Sequence, residues 1–418
     1  MFLFYRILMN IIFILSPLIF LYRIIRKKED IFRFKEKICF FSRKKNKGNT
    51  VWFHGASVGE ILSIVPLIEK LEKNKKINQI LVTTNTLSSS KILQKLKLSK
   101  TIHQFFPIDT NYHSKKFLNY WKPSAVFFID SEIWPNMLTN IKKKEISLVL
   151  LNARITKKTY ARWKKFPSLA KNLFNKFDAC YVADIKSKIR LKKLGAKKII
   201  NIGNLKFTQT KINTHDLNKK LKKKLLSRKI WCASSTHDLE EKFCAIAHKI
   251  LKKKYKNLLT IIIPRHINRV KNIKAELEQY DLKVCRHDSN DRINEDTDIY
   301  IVNSYGETKS FYKICKTVFL GGSLIQHGGQ NPLEPAIYGC KTLHGPNIWN
   351  FKEIYSLLHK NKISKKIKNS REIAKEINNI FNNKNNSQKL KSKIIRLGET
   401  ILNKTLKEIN LFITKNEF

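Results

Sequence analysis

Acidic residues are scarce in this chain: 32 Asp and Glu stand against 83 Lys and Arg in 418 residues, a formal charge of +51. Total charged content, 28 %, is near the usual quarter, so the oddity is one of sign. Glycine is scarce as well, at 13. The chain is rich in Lys, Asn and Ile, the drift an AT-biased genome produces. The seven cysteines (Cys39, Cys180, Cys232, Cys244, Cys285, Cys315 and Cys340) are scattered, odd in number and form no CxxC pair. This argues against a disulfide framework or a zinc site and for a reducing compartment. Zinc-finger spacing, an RNP-like aromatic pattern and an obvious helix-turn-helix are all missing, so nucleic-acid binding has only the charge in its favour. No GK[ST] ends a glycine loop and no GxGxxG follows the first strand, which removes the Walker and dinucleotide fingerprints. What is present is apolar material, 42 % of residues with 25 Phe. That excludes disorder as the main state, and the length suggests about two domains.

The apolar residues make one long run. From Ile7 to Ile25 only Asn10, Ser16, Pro17 and Arg23 interrupt it. Its length is near the ~20 residues that span a bilayer. Arg26, Lys27 and Lys28 follow where a signal peptide would carry a small-residue cleavage site. The run therefore reads as an anchor, with the basic flank placing the following chain in the cytoplasm. Pro17 and Arg23 leave a membrane-lying helix as the rival to a span. Lys runs such as Lys142-Lys143-Lys144 and Lys222-Lys223-Lys224 read as solvated helix faces, with a share of the charge left to meet an anionic membrane.

Beyond the anchor, short apolar runs alternate with Lys-rich amphipathic stretches, the pattern of βα repeats and parallel sheets. The first half carries strands at Val51–His54, Ile80–Thr84, Ala125–Asp130, Leu148–Asn152, Ala179–Ala183 and Ile199–Ile202. The second carries them at Ile230–Ala233, Leu258–Ile263, Asp298–Val302, Thr317–Leu320 and Lys341–Leu343. The polar stretch 208–228 reads as a linker plus a helix start. The expected organisation is α/β: an anchor at 1–28, a Rossmann-like unit at 29–207, the linker, a second Rossmann-like unit at 229–390 and a C-terminal helix at 391–418. Everything after Phe351 reads as helical. In doubly wound units ligands bind beyond the carboxyl ends of the strands.

In a chain poor in Gly and in acid, the places holding both stand out. Seven of the thirteen Gly lie between Gly306 and Gly345, and Gly55 and Gly59 share one segment. That segment, His54-Gly55-Ala56-Ser57-Val58-Gly59-Glu60, leads from a strand into a helix. Ser57 and Glu60 have capping-box spacing. Glu60 is also a carboxylate placed to take a proton from a hydroxyl. Asp130-Ser131-Glu132-Ile133-Trp134-Pro135-Asn136 ends another strand. Its carboxylate either bonds backbone or stabilises a reacting centre. Lys206, in Gly203-Asn204-Leu205-Lys206, is distinguished from other Lys only by its strand-end location. In the second half, Ala233-Ser234-Ser235-Thr236-His237-Asp238 runs into hydroxyl caps at a helix start, which suits a phosphate. Ile263-Pro264-Arg265-His266 places an Arg at a strand end, a good phosphate fork. Tyr305-Gly306-Glu307 is a turn. Gly321-Gly322-Ser323, continuing to Asn331-Pro332-Leu333-Glu334-Pro335, reads as a loop presenting amides to phosphate. A helix follows, whose Glu334 holds ribose hydroxyls. Together these make a nucleotide site.

Taken in order, these segments, with Leu151-Asn152-Ala153-Arg154 and Arg269, resemble the 3-deoxy-D-manno-octulosonic acid (Kdo) transferases of lipopolysaccharide assembly over roughly residues 30 to 355. The resemblance implies a GT-B fold, two Rossmann-like domains facing a cleft. It implies inverting transfer of Kdo from CMP-Kdo to the tetraacyl disaccharide lipid A precursor at the cytoplasmic face of the inner membrane. By family position Glu60 is the general base, and Glu132 and Lys206 stabilise the transition state. Pro264, Arg265, Tyr305, Gly306, Glu307, Asn331, Pro332, Leu333 and Glu334 bind CMP. Ser235, Thr236, Gly321, Gly322 and Ser323 are candidate phosphate contacts. No cofactor is expected, and no Asp-x-Asp metal motif is read near the nucleotide segments. Gln330 replaces the family's usual His, Asn303-Ser304 its Asp-Thr, and Thr308 its Leu, all in the CMP region. The alternatives are another membrane-associated GT-B enzyme with a different nucleotide sugar and a membrane-tethered basic nucleic-acid-binding protein.

Overall fold

The computed structural model describes residues 2–96, 98–209, 216–287, 293–383 and 387–413. Two parallel seven-stranded sheets organise them. The first comprises β1 (Thr50–His54), β2 (Gln79–Thr84), β3 (Thr101–Phe105), β4 (Ala125–Ile129), β5 (Ser147–Ala153), β6 (Ala179–Val182) and β7 (Ile199–Asn201), in the order β3-β2-β1-β4-β5-β6-β7. The second comprises β8 (Lys229–Thr236), β9 (Leu258–Pro264), β10 (Val284–Arg286), β11 (Ile299–Ile301), β12 (Thr317–Leu320), β13 (Lys341–His344) and β14 (Ser364–Lys366), in the order β10-β11-β9-β8-β12-β13-β14. The α/β class holds. The chain divides into one unit of Met1–Gln209 with Leu397–Phe418 and another of Thr210–Arg396.

Each central strand is a continuous apolar run because helices cover both faces of a parallel sheet. In β1 and β4 every residue is buried, and Trp52, Phe53, Phe127 and Phe128 are wholly so. Burying side chains of this size contributes about 1.5–3 kcal/mol each. The helix Val58–Leu71 shows how the crossovers pack: Ile61, Ile64, Leu67, Ile68 and Leu71 recur at helical spacing and are buried.

Three strands, β3, β10 and β14, fall outside the apolar runs read from the sequence. All three are sheet edges. An edge strand is covered on fewer sides and tolerates polar residues, as in Ser364-Lys365-Lys366. The stretch after Phe351 is consequently not all helix. Of the stretch 208–228, residues 210–215 lie outside the described residues, and the remainder includes a helix at Lys219–Leu226. The last helix runs Ser387–Ile413, and its residues from Leu397 onward belong to the first unit. Residues 414–418 lie outside the described residues.

The N-terminal apolar run is a helix, Phe2–Ile25, long and apolar enough to cross a membrane. One stripe of it is docked along the first unit. The Tyr5 hydroxyl donates to Asp109 (2.8 Å), Arg6 to Asn136 (3.1 Å) and Arg23 to Glu29 (2.8 Å). Phe13 packs on His113 and Phe20 on Phe34. The other faces leave Leu3, Phe4, Ile7, Ile14, Leu18 and Leu21 exposed.

Candidate active site

The strand order of the first sheet reverses direction between β1 and β4, and the crevice beyond such a switch point is where doubly wound units bind ligands. Glu60 follows β1 and Glu132 follows β4, so the topology brings together two segments far apart in the chain.

Ser57 caps the helix Val58–Leu71, accepting the Glu60 N–H. The Glu60 carboxylate returns to the Ala56 N–H (2.7 Å) and the Ser57 hydroxyl (2.7 Å). The capping box is therefore real, with the backbone donor one residue earlier than the standard pattern. It does not use up the carboxylate. Burial pushes the Glu60 carboxyl above its ordinary range, against the Ser57 hydrogen bond, and the Glu132 charge pushes the same way. Glu132 goes in the other direction. Burial alone would raise it, but the His54 ring and the Trp134 indole N–H (2.8 Å) hold it below its usual range. One carboxylate is thus kept charged while its neighbour is made more basic, the arrangement by which one site assigns two roles to two acids.

Asp130 lies between them at φ +61°, a left-handed conformation that Asp and Asn tolerate best. Burial and the Glu60 charge push it up to about 7, while Arg154 and Lys206 pull it down. Lys206 therefore does sit electrostatically within the carboxylate group. Asn204 caps its short turn (2.9 Å to the Lys206 N–H). Asn152, at φ +51° where β5 breaks register, accepts the Leu205 N–H (2.9 Å) and ties that turn to the sheet. A consequence is measurable. Below about pH 7 Asp130 is protonated, and above it a third negative charge enters the group. Asp130→Asn should therefore raise the thermal midpoint more at pH 8 than at pH 5.5; an equal shift at both would contradict the assignment.

The second sheet has its own switch point, between β8 and β12. Around its carboxyl ends stand Ser234 to Thr236, Pro264 and Arg265, the Tyr305–Glu307 turn and Gly321 to Ser323. Arg265 is exposed at the end of β9, its backbone N–H bonded to Thr236 O (3.0 Å). Glu334 is exposed at the start of the short helix Leu333–Ile337, with Lys309 as its charged neighbour. Asn331 accepts the Leu333 N–H (3.2 Å), and Pro332 begins that turn. Glu307 pairs with His287 (2.8 Å) and accepts from Ser304, in a turn that Gly306 permits at φ +88°.

The phosphate assignments are corrected here. The glycine loop does not present its amides to a ligand. Glu240, wholly buried, accepts the N–H groups of Gly322 (2.6 Å), Ser323 (3.0 Å), Leu324 (3.0 Å) and His237 (3.0 Å), while the Gly321 N–H goes to Ser234 O. An internal carboxylate occupies the place assigned to phosphate, so Gly321, Gly322 and Ser323 serve as scaffold through their amides. Glycine at 321 is needed for close approach: a Cβ there would lie 2.3 Å from Ser235 O. Ser235 and Thr236 likewise do not cap a helix. The helix begins at Glu240, after Leu239, with Ser235 at φ +54° and Thr236 buried at the strand end. An Asp-x-Asp triplet does occur in the chain, Asp296-Thr297-Asp298, but not at the nucleotide segments. It lies at the opposite, amino end of β11. Asp298 accepts from Lys252 (2.8 Å) and the Lys283 N–H (3.0 Å), and Asp296 pairs with Lys283, so the triplet is structural. Among the described residues no group of three or more His, Cys, Asp or Glu is arranged to hold a metal ion.

The sequence reading missed Glu240, and it gave His237 no role beyond its place in the Ala233–Asp238 segment. A Glu-Glu pair in so acid-poor a chain was the available signal for the first. His237 is buried, gives its Nδ1 proton to Ser235 O (3.1 Å) and stands 4.1 Å from the His327 ring. Burial, with His327 close by, lowers it to about 4. Its Nε2 is left as an acceptor without a partner among the described residues.

A family model described as 3-deoxy-D-manno-octulosonic-acid transferase (kdotransferase) matches residues 32–209. The 3-deoxy-D-manno-octulosonic acid transferase of Rickettsia bellii is 33 % identical over 412 residues, covering 96 % of this chain and 97 % of that protein. This chain belongs to the Kdo transferase family. The Haemophilus influenzae Kdo transferase is 30 % identical over 318 residues, 74 % of this chain and 73 % of its own. Among solved structures, the UDP-GlcNAc 2-epimerase of Neisseria meningitidis superposes with a TM-score of 0.58 at 14 % identity, over 88 % of this chain and all of that one. A glycosyltransferase from Rickettsia africae gives 0.56 at 12 % over 89 %. At that identity the two structures speak to the fold alone, two Rossmann-like units of GT-B type. The Kdo transferase is thus a glycosyltransferase of lipopolysaccharide biosynthesis.

Proposed function

We propose that this Kdo transferase moves Kdo from CMP-Kdo to a hydroxyl of the tetraacyl disaccharide lipid A precursor in a single inverting displacement. The observation that carries the reading is Glu60, a carboxylate of raised basicity at the β1/β4 switch point beside the charged Glu132. The acceptor oxygen attacks the anomeric carbon, its proton passes to Glu60, and the bond from that carbon to the CMP phosphate oxygen breaks. Glu132 sets negative charge against the positive charge that develops at the anomeric centre, and Lys206 balances the carboxylate group. Gly59 supports an approach from outside. A Cβ there would meet nothing within 4 Å and φ is not positive, so the fold itself does not demand glycine.

In this reading CMP sits in the second unit. Arg265, at the exposed end of β9, meets the phosphate, and Glu334, exposed and with no hydrogen bond to the described residues, accepts from the ribose hydroxyls. Pro264, Leu333 and Pro332 shape the turn, while Asn331 and the Tyr305-Gly306-Glu307 turn complete the nucleotide contacts. Metal-independence follows as an expectation, with Arg265 supplying the cationic charge. Hydrogen bonds to a charged group contribute about 1.5–3 kcal/mol. Glu334→Ala should therefore weaken CMP binding by roughly ten- to a hundredfold in calorimetric titration; unchanged affinity would remove the ribose assignment.

The docked stripe of the Phe2–Ile25 helix favours a placement in the plane of the cytoplasmic leaflet over a perpendicular span, with its exposed apolar side in lipid. Lys27, Lys28 and Arg26 at its end then meet anionic headgroups. The test of the whole reading is incubation of the purified protein with CMP-Kdo, generated in situ, and the tetraacyl acceptor. CMP release and a Kdo-bearing product of inverted configuration are expected; absence of acceptor-dependent CMP release would overturn it.

A further inference from the structure

The base and its charged neighbour do not explain why β1 ends in a histidine. His54 is wholly buried, stacked on Phe106 (4.0 Å between centroids) and edge-on to Phe128 and Trp134. Its two nitrogens meet different partners. Nδ1 lies 2.9 Å from Thr83 Oγ1 and 3.3 Å from Thr83 O on β2, and Nε2 lies 3.3 Å from Glu132 Oε2, a close contact without the alignment of a full hydrogen bond among the described residues. Thr83 decides which nitrogen carries the proton. Its hydroxyl is wholly buried, and its described partners are only Trp52 Nε1 (2.9 Å) and His54 Nδ1. An indole N–H can only donate, so the threonine proton has only Nδ1 to go to. The Thr83 carbonyl, which could only accept from Nδ1, is the longer contact at 3.3 Å against 2.9 Å, so the hydroxyl contact assigns Nδ1 as acceptor and leaves the imidazole proton on Nε2, on the side of Glu132.

We infer that His54 is a positioning residue for the transfer reaction. A one-way relay of donors, Trp52 to Thr83 to His54, turns the Nε2 N–H toward Glu132, 3.3 Å away, and biases that carboxylate to its charged form and to one orientation. Trp134 donates to the same oxygen, Oε2 (2.8 Å), so two neighbouring aromatic rings converge on one oxygen of the carboxylate. The relay is built across three neighbouring strands, β2, β1 and β4. That register explains the chemistry at the strand ends: His54 pairs with Thr83 on one side and Phe128 on the other. The charged groups facing His54 are Glu132 and, further off, Glu60. This inference rests on the role proposed for Glu132, but the relay itself is testable without turnover.

His54→Phe keeps a ring of similar shape between Phe106 and Phe128 and deletes the donor. His54→Gln restores an N–H at similar reach. Loss of an outer partner that orients an active-site group commonly lowers activity about ten- to a hundredfold. The expected result is a loss of that order in kcat for His54→Phe with KM for the donor unchanged, a pH profile whose acidic limb moves to higher pH, and recovery in His54→Gln. In a Glu132→Gln background His54→Phe should have no further effect on kcat. The titration of Glu132, followed by NMR of 13C-labelled glutamate and identified by its absence in Glu132→Gln, should move upward in His54→Phe. That measurement needs no activity, so it separates failure of the relay from failure of the proposed reaction. An unmoved Glu132 titration, or an equal kcat loss with and without Glu132, would overturn the inference.

Discussion

Glu60→Gln should abolish Kdo transfer while leaving the fold in place. Two roles meet on this carboxylate, and the substitution separates them. As a cap, the side chain accepts the Ala56 N–H and the Ser57 hydroxyl proton. A glutamine oxygen can keep the first bond, and Gln is itself a standard capping-box residue at this position, so the helix start survives. As a base, the side chain must bind a proton in the transition state, which an amide cannot do. General-base catalysis contributes about 10²–10⁴-fold, so kcat should fall by that factor. The thermal midpoint should hold or rise slightly. Burial disfavours the charged form of Glu60, and removing the charge relieves repulsion with Glu132 and Asp130. The pH dependence has a definite sign. The base must be unprotonated to act, and its proton is held more tightly than in a free carboxylic acid. Wild-type activity should therefore fall on the acid side above the ordinary glutamate range. Initial rates of CMP release across pH, with circular dichroism of the variant, check both halves. Loss of helical signal together with loss of activity would make Glu60 a structural cap.

The largest stability effect should come from a residue far from any role in the chemistry. Glu240→Ala removes the acceptor for four backbone N–H groups, those of His237, Gly322, Ser323 and Leu324. Each buried donor left unsatisfied costs about 1–3 kcal/mol, and water entering the small space offsets part of that. A net loss of about 3–5 kcal/mol is expected, comparable to breaking a buried charge interaction. For a unit of this size that lowers the melting transition by roughly 10 °C. The loop after β12 would also lose the contact that sets its path beside the end of β8, so CMP affinity should fall with stability. Glu240→Gln keeps one acceptor oxygen and should fall between. Differential scanning calorimetry of the full chain measures this. A variant melting with the wild type would mean the loop is held by its strand contacts alone.

Much of the architecture was legible in the residues. Central parallel strands are buried on both faces and therefore appear as uninterrupted apolar runs, and β1, β4 and β12 were each located to within a residue. The edges β3, β10 and β14 were not, because half-covered strands carry the same polar residues as loops. The N-terminal helix was legible as an apolar run. Its docked stripe was not, since Tyr5 and Arg6 lie ahead of the run and Arg23 reads as an interruption until Asp109, Asn136 and Glu29 are brought beside them. At the site, Glu60, Glu132 and Lys206 stood out because carboxylates are rare here and strand ends are where ligands bind. The glycine loop misled. Gly-rich turns next to a helix suit phosphate, and nothing local announces that a glutamate some eighty residues earlier already occupies the amides.

By itself, then, the sequence determined the fold class, the order of the motifs and the identity of the groups able to do chemistry, because those depend on periodicity and residue type over short spans. Only the tertiary structure decided what each group is for. Strand order places β1 beside β4, which turns two distant carboxylates into a pair with opposite proton affinities. The β1/β2 register places Thr83 against His54 and so selects its tautomer. Burial shifts the balance between charged and neutral forms, and burial is a property of the packed unit. The scarcity of acid in a +51 chain marked where to look; the environment of each acid assigned its role.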